Sequence, residues 1–154
     1  MQIISEADVT LTRLRQLFLG VADSACIVDV YPAAPNMNLP GDAYLALKFA
    51  SDEIVIWLDQ QAKFLLRFRV IVVARDRACQ ISDDERLEEG AFLNQQASCF
   101  ASIATENLLG ITLEYPLPFK NGILDETILS VTRELLAGAA KARAHFQKVE
   151  LYKS

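Results

Sequence analysis

From Phe64 to Ala74 the chain alternates between two residue sets. Phe64, Leu66, Phe68, Val70 and Val72 share one side of an extended strand, and Leu65, Arg67, Arg69 and Ile71 share the other. The pattern predicts a strand with one face in a core and the other at least half solvated. Two further apolar runs precede it, Tyr44 to Phe49 and Ile54 to Leu58, separated by Ser51-Asp52-Glu53 and Asp59-Gln60-Gln61. Short polar turns between such runs predict an antiparallel meander. An earlier strand is expected from Cys26 to Tyr31, rich in β-branched residues and closed by Pro32. Pro32, Pro35, Asn36, Asn38, Pro40 and Gly41 then crowd into ten residues, which reads as an irregular connector.

Elsewhere the period lengthens to three and four. Val9, Leu11, Leu14, Leu17 and Phe18 predict a short amphipathic helix within Glu6 to Val21, with Gly20 as its stop. Ser82-Asp83-Asp84-Glu85 has the form of a capping box, so a second helix is expected to start there and end before Cys99. A strand pair follows, Cys99 to Thr105 and Leu108 to Tyr115, turning at Glu106-Asn107 and stopped by Pro116 and Pro118. After Asn121-Gly122 the longest helix is predicted over Asp125 to Lys148, with Leu124, Ile128, Val131, Leu135, Gly138, Ala142 and Phe146 forming its apolar stripe. Such a stripe needs a sheet or another helix to cover it.

The fold class expected from this order is α+β: an antiparallel β-sheet of about five to six strands with helices packed against it. At 154 residues and 52% hydrophobic content the chain suits one domain, 1–154, with a substantial core. No apolar stretch approaches a membrane span, since Val70 to Ala74 is closed by Arg75. Met1 to Glu6 lacks the basic start and apolar core of a signal peptide, so a cytoplasmic location is expected. Cys26, Cys79 and Cys99 lie far apart and are expected as reduced thiols. A net charge of -5 disfavours general affinity for nucleic acid or anionic membrane, so neither is expected as a partner.

Candidate chemistry is sparse. His145 is the single histidine and lies near the end of the last helix, where a dipole role suffices. Asp83, Asp84, Glu85, Glu88 and Glu89 lack the alternating oxygens and central glycine of a calcium loop. The arginines Arg67, Arg69, Arg75 and Arg77 invite a nucleic-acid reading, but Phe64 and Phe68 fall on the opposite strand face from Arg67 and Arg69, so rings and cations do not converge. Cross-strand pairing with acids is the expected role. Trp57, with Phe49, Ile54 and Ile56, reads as core or as part of a sheet face open to an apolar peptide. Gly138-Ala139-Ala140 thins the last helix and permits close approach of another backbone, from the same chain or a second copy.

The stretch Glu89-Gly90-Ala91-Phe92-Leu93-Asn94, the strand pair Phe100 to Thr105 and Gly110 to Tyr115, and Gly122-Ile123-Leu124-Asp125-Glu126 opening the last helix resemble the type III secretion chaperone-like fold, and within it the YbjN-like group. The resemblance implies a small, acidic, non-enzymatic homodimer that binds an extended segment of a client or a partner protein, with no cofactor, no metal and no catalytic residue. Trp57, Phe49, Leu135 and Gly138 are the positions expected to meet a partner. The competing class is a small-ligand-binding protein or an enzyme using a cysteine or carboxylate in a sheet–helix pocket.

Overall fold

A computed structural model describes residues 1–29, 43–74, 100–103 and 110–148. The expected capping-box helix, the Pro32 to Gly41 loop, Cys79, Cys99, Arg75, Arg77 and the Glu106-Asn107 turn lie outside the described residues.

Strands β1 (Ile3–Ile4), β2 (Ser24–Asp29), β3 (Ala43–Phe49), β4 (Asp52–Leu58), β5 (Leu65–Ala74), β6 (Phe100–Ile103), β7 (Gly110–Pro118) and β8 (Ile123–Leu124) accompany helices α1 (Leu11–Phe18) and α2 (Asp125–Lys148). Six strands form one antiparallel sheet in the order β2-β3-β4-β5-β7-β6. The structure is therefore α+β, with the meander β3-β4-β5 as the alternation predicts.

Register explains the core. Leu45 pairs Ile56, Leu47 pairs Ile54, Ile56 pairs Phe68, and Val70 pairs Leu113, so residues of one parity collect on one face. Leu45, Leu47, Ile54, Ile56, Leu66, Phe68, Val70 and Leu113 are wholly buried there. Helix α1 covers this face over β2 and β3, while α2 covers it over β5 and β7. From α1 come Leu14 and Phe18; from α2 come Ile128, Val131, Leu135, Ala139 and Ala142. Leu124 is the exception in the predicted stripe: it belongs to β8 and is exposed.

Three expectations need correction, and the amino-terminal residues add a strand that the pattern does not predict. Phe64 does not join the alternating face; its backbone adopts φ 57° in the β4–β5 turn, and its exposed ring packs edge-on against Phe119, centroids 5.8 Å apart. Pro116 and Pro118 do not stop β7, which pairs them with Arg67 and Leu65. The reason is parity: the Phe119 amide donates to the Phe64 carbonyl at 2.8 Å, so odd residues of β7 address β5. The even prolines therefore turn their missing donors toward the β6 side, where pairing among the described residues reaches Glu114. The first helix is shorter than expected, beginning after a 3-10 turn at Glu6–Asp8, with the Thr10 hydroxyl accepting from the Arg13 amide. Finally, the amino-terminal residues are structural. β1 pairs β8 through Ile3 with Leu124 and Ile4 with Ile123, and the Gln2 amide donates to Asp125 Oδ1 at the start of α2.

Gly122 sits where this ribbon turns, at φ 96°, and a Cβ there would lie 3.0 Å from the Ile4 carbonyl oxygen. Gly122→Ala should lower stability by about 1–3 kcal/mol through backbone strain and this contact. Leu135→Asp, which puts a charge beneath the sheet, should cost about 3 kcal/mol or more and yield unfolded or aggregated protein. Chemical denaturation of both variants checks the order: Leu135→Asp worse than Gly122→Ala.

Candidate functional site

The sheet face turned away from the helices carries polar chemistry because its parity is that of Arg67 and Arg69. Arg69 and Glu114 are direct partners across β5 and β7; Arg69 Nε donates to Glu114 Oε1 at 2.7 Å. The Arg69 guanidinium also lies over the Trp57 ring, 4.8 Å from its centroid. Arg67 Nε donates to Asp59 Oδ2 at 2.6 Å. The cross-strand pairing with acids expected of these two arginines is thus present, and Phe68 lies fully buried on the other face. Arg69 and Thr112 are themselves buried, so around β5 and β7 this face is not an open apolar platform.

Asp59 organises the β4–β5 turn. Its Oδ1 accepts the amides of Gln61 and Ala62, each at 2.8 Å, while Oδ2 takes Arg67. The Ala62 amide, then the Arg67 guanidinium, hold its carboxyl below the ordinary carboxylate pKa. At the helix start, Asp125 is lowered likewise, first by the Gln2 amide.

The four positions expected to meet a partner do not form one surface. Trp57 is half-buried on the polar face. Phe49 has the opposite parity and packs edge-on against Phe18 of α1, centroids 6.5 Å apart. Leu135 and Gly138 are buried within the single chain, on the side of α2 that its own sheet covers. Of the thin patch of α2, Gly138 and Ala139 are buried and Ala140 is exposed.

The sheet edge at β2 offers more. A two-residue turn, Ala50-Ser51, joins β3 and β4, so the closing pair Phe49 and Asp52 exchange hydrogen bonds. By alternation, Phe49, Leu47 and Leu45 address β4, and Lys48, Ala46 and Tyr44 address β2. Their partners Ser24, Cys26 and Val28 are thereby used. The main-chain groups of Ala25, Ile27 and Asp29 point outward. Arg15 of α1 confirms the direction, since its Nε donates to the Ala25 carbonyl at 3.0 Å. Ile27 is exposed on this edge, and Leu19 and Val21, in the turn that leads into β2, are each 54% exposed. Cys26 is an exposed free thiol on the polar-face side of β2.

A further polar assembly escaped sequence reasoning. Arg143, near the end of α2, donates through Nη2 to the Ile71 carbonyl at 2.9 Å and through Nε to the Val72 carbonyl at 3.3 Å, and pairs with Asp52. Those carbonyls flank the irregularity between Ile71 and Val73, where β5 has one residue more than β7. Asp52 opens β4, so one side chain ties the last helix to two strands. Its only sequence signal is an arginine on the sheet-facing side of an otherwise apolar helix stripe. His145 lies in α2, and its side chain is outside the described residues.

Among the described residues no three His, Cys, Asp or Glu side chains converge as metal ligands, and no helix is long and apolar enough to cross a membrane. No family model and no curated protein matches the chain.

Two outcomes follow from these contacts. Arg143→Lys should cost about 1–2 kcal/mol, because a single ammonium cannot reproduce the fork that serves two carbonyls and a carboxylate; denaturant melts check this. Asp59 has a folded pKa below its unfolded value, so its contribution is present above pH about 4 and is lost as pH falls through the folded value. Asp59→Asn should thus destabilise the protein at neutral pH and flatten its loss of stability below pH about 4, as read from melts across that range.

Proposed function

We propose that this chain is a non-catalytic protein-binding module, chaperone-like or regulatory, of the type III secretion chaperone-like and YbjN-like kind. It binds an extended segment of a partner protein, works as a homodimer and acts in the cytoplasm. The observation that carries the reading is the sheet: its helices lie on one face, and its terminal strands β2 and β6 are each paired on one side only among the described residues. An antiparallel edge accepts an extended peptide through main-chain hydrogen bonds, with side-chain contacts on alternate positions giving selectivity. The described elements follow the order of the resemblance except for its middle helix, which lies outside the described residues, and they add the short strands β1 and β8.

Affinity capture from the native host with mass spectrometry, followed by titration of a peptide covering the captured segment, tests the reading. Binding should come with slowed amide exchange in an edge strand. A partner that binds without protecting any edge strand would refute strand addition. In a deletion strain, His145→Gln and single Cys→Ser changes at Cys26, Cys79 and Cys99 should complement as well as the unaltered gene. A normally expressed variant that fails would overturn the non-catalytic reading.

A further inference from the structure

We infer that the β2 edge is where two copies of this chain meet, by antiparallel pairing of β2 with its symmetry mate about a twofold axis at Ile27. The inference rests on the dimeric part of the reading above and gives it an address. Edges that must stay unpaired are usually guarded by lysine, proline, an inward charge or a bulge. The run Ala25-Cys26-Ile27-Val28 carries no lysine, proline or bulge and pairs with β3 in unbroken register from Ser24 to Asp29, and the charges beside it, Asp29 and the Arg15 guanidinium at the Ala25 carbonyl, are of opposite sign.

Charge selects both the occupant and the register. Among the described residues of β2, Ala25, Ile27 and Asp29 present outward main-chain groups, so two copies bond here in registers that place these residues opposite one another. With the axis at Ala25, the two Arg15 guanidinium groups, each fixed at an Ala25 carbonyl, would crowd together. With the axis at Cys26, Asp29 would face the second copy's Asp23; at Val28 it would face Ile27 and meet no cation, and at Asp29 the two carboxylates would meet. With the axis at Ile27, Asp29 falls opposite the second copy's Ala25, where that copy's Arg15 is already held. The arrangement then repeats by symmetry. Ala25, Ile27 and Asp29 share the helix-bearing side of the sheet, the side from which Arg15 reaches the edge, so cation and carboxylate approach on one face. Asp29 and Arg15 are both exposed in the single chain, and Ile27 brings apolar surface to the axis. A twofold interface uses each patch twice, so one copy's Arg15 and Asp29 supply two ion pairs to the dimer. The edge of β6 is left for the partner segment.

Sedimentation velocity from micromolar to millimolar protein tests this with Asp29→Arg, Arg15→Asp and the double exchange. The unaltered protein should sediment as a dimer, each single change should weaken dimerisation about tenfold or more, and the double exchange should restore most of it. Circular dichroism melts show whether each variant is folded. A second readout needs no variant: the Ile27 amide, directed outward, should exchange slowly at high concentration and faster on dilution. A dimer unaffected by all three changes, with an Ile27 amide indifferent to dilution, would overturn the β2 address while leaving the dimeric reading intact. A monomer at every concentration would overturn both.

Discussion

The structure depends on the parity of β5. This strand pairs with β4 through a local turn and with β7, which begins 36 residues after β5 ends (Ala74 to Gly110), so it joins the meander to the carboxy-terminal half. Leu66, Phe68, Val70 and Val72 lie beneath α2 only in the observed register. A one-residue slip would put Arg69 in the core and Phe68 in the polar face, at a desolvation cost no neighbouring contact could offset. Arg143 holds the end of the strand where register is most vulnerable, at the irregularity between Ile71 and Val73.

Four of the acids, Asp23, Glu6, Asp59 and Asp125, have a structural use that says nothing of partners. Ala50 adopts φ 54° in the β3–β4 turn, and its amide is taken by Asp23 Oδ2 at 2.7 Å. Asn121, at φ 68°, donates its amide to Glu6 Oε2 at 2.6 Å. Asp59 and Asp125 do the same for the β4–β5 turn and the start of α2. In each case a carboxylate accepts amides that a tight turn or a helix start leaves unpaired. Net charge is thus in part a by-product of how this sheet reverses direction.

Where hydrophobic period was long and regular, the fold was legible. The β3-β4-β5 meander and α2 from Asp125 to Lys148 follow from spacing alone, because burial on one face leaves few other ways to place Leu45, Ile54, Phe68 or Leu135. Legibility fails where a single backbone angle or a distant partner decides. Phe64 continues the alternation on paper but sits in a left-handed turn conformation. Pro116 and Pro118 look like stops because composition does not show that their nitrogens face away from β5, the strand they pair with. Ile3 and Ile4 are too short a run to read as a strand until Ile123 and Leu124 are seen beside them.

The same logic explains why the expected partner positions scattered. Trp57, Phe49, Leu135 and Gly138 stand out by residue type, as large apolar groups or a small seam, and residue type is also what fills a core. Phe49 and Leu135 were claimed by the chain's own packing, and Trp57 by Arg69. An edge that recognises another strand works differently: its donors and acceptors are main-chain groups common to every residue, and parity alone decides which of them face outward. Serine, alanine, cysteine and isoleucine at 24–27 carry no motif. What distinguishes them is that Ser24 and Cys26 are bonded to β3 while Ala25 and Ile27 are directed away from it, and that an arginine from the neighbouring helix already occupies one of those outward carbonyls. An edge of this kind becomes visible only after the register is known.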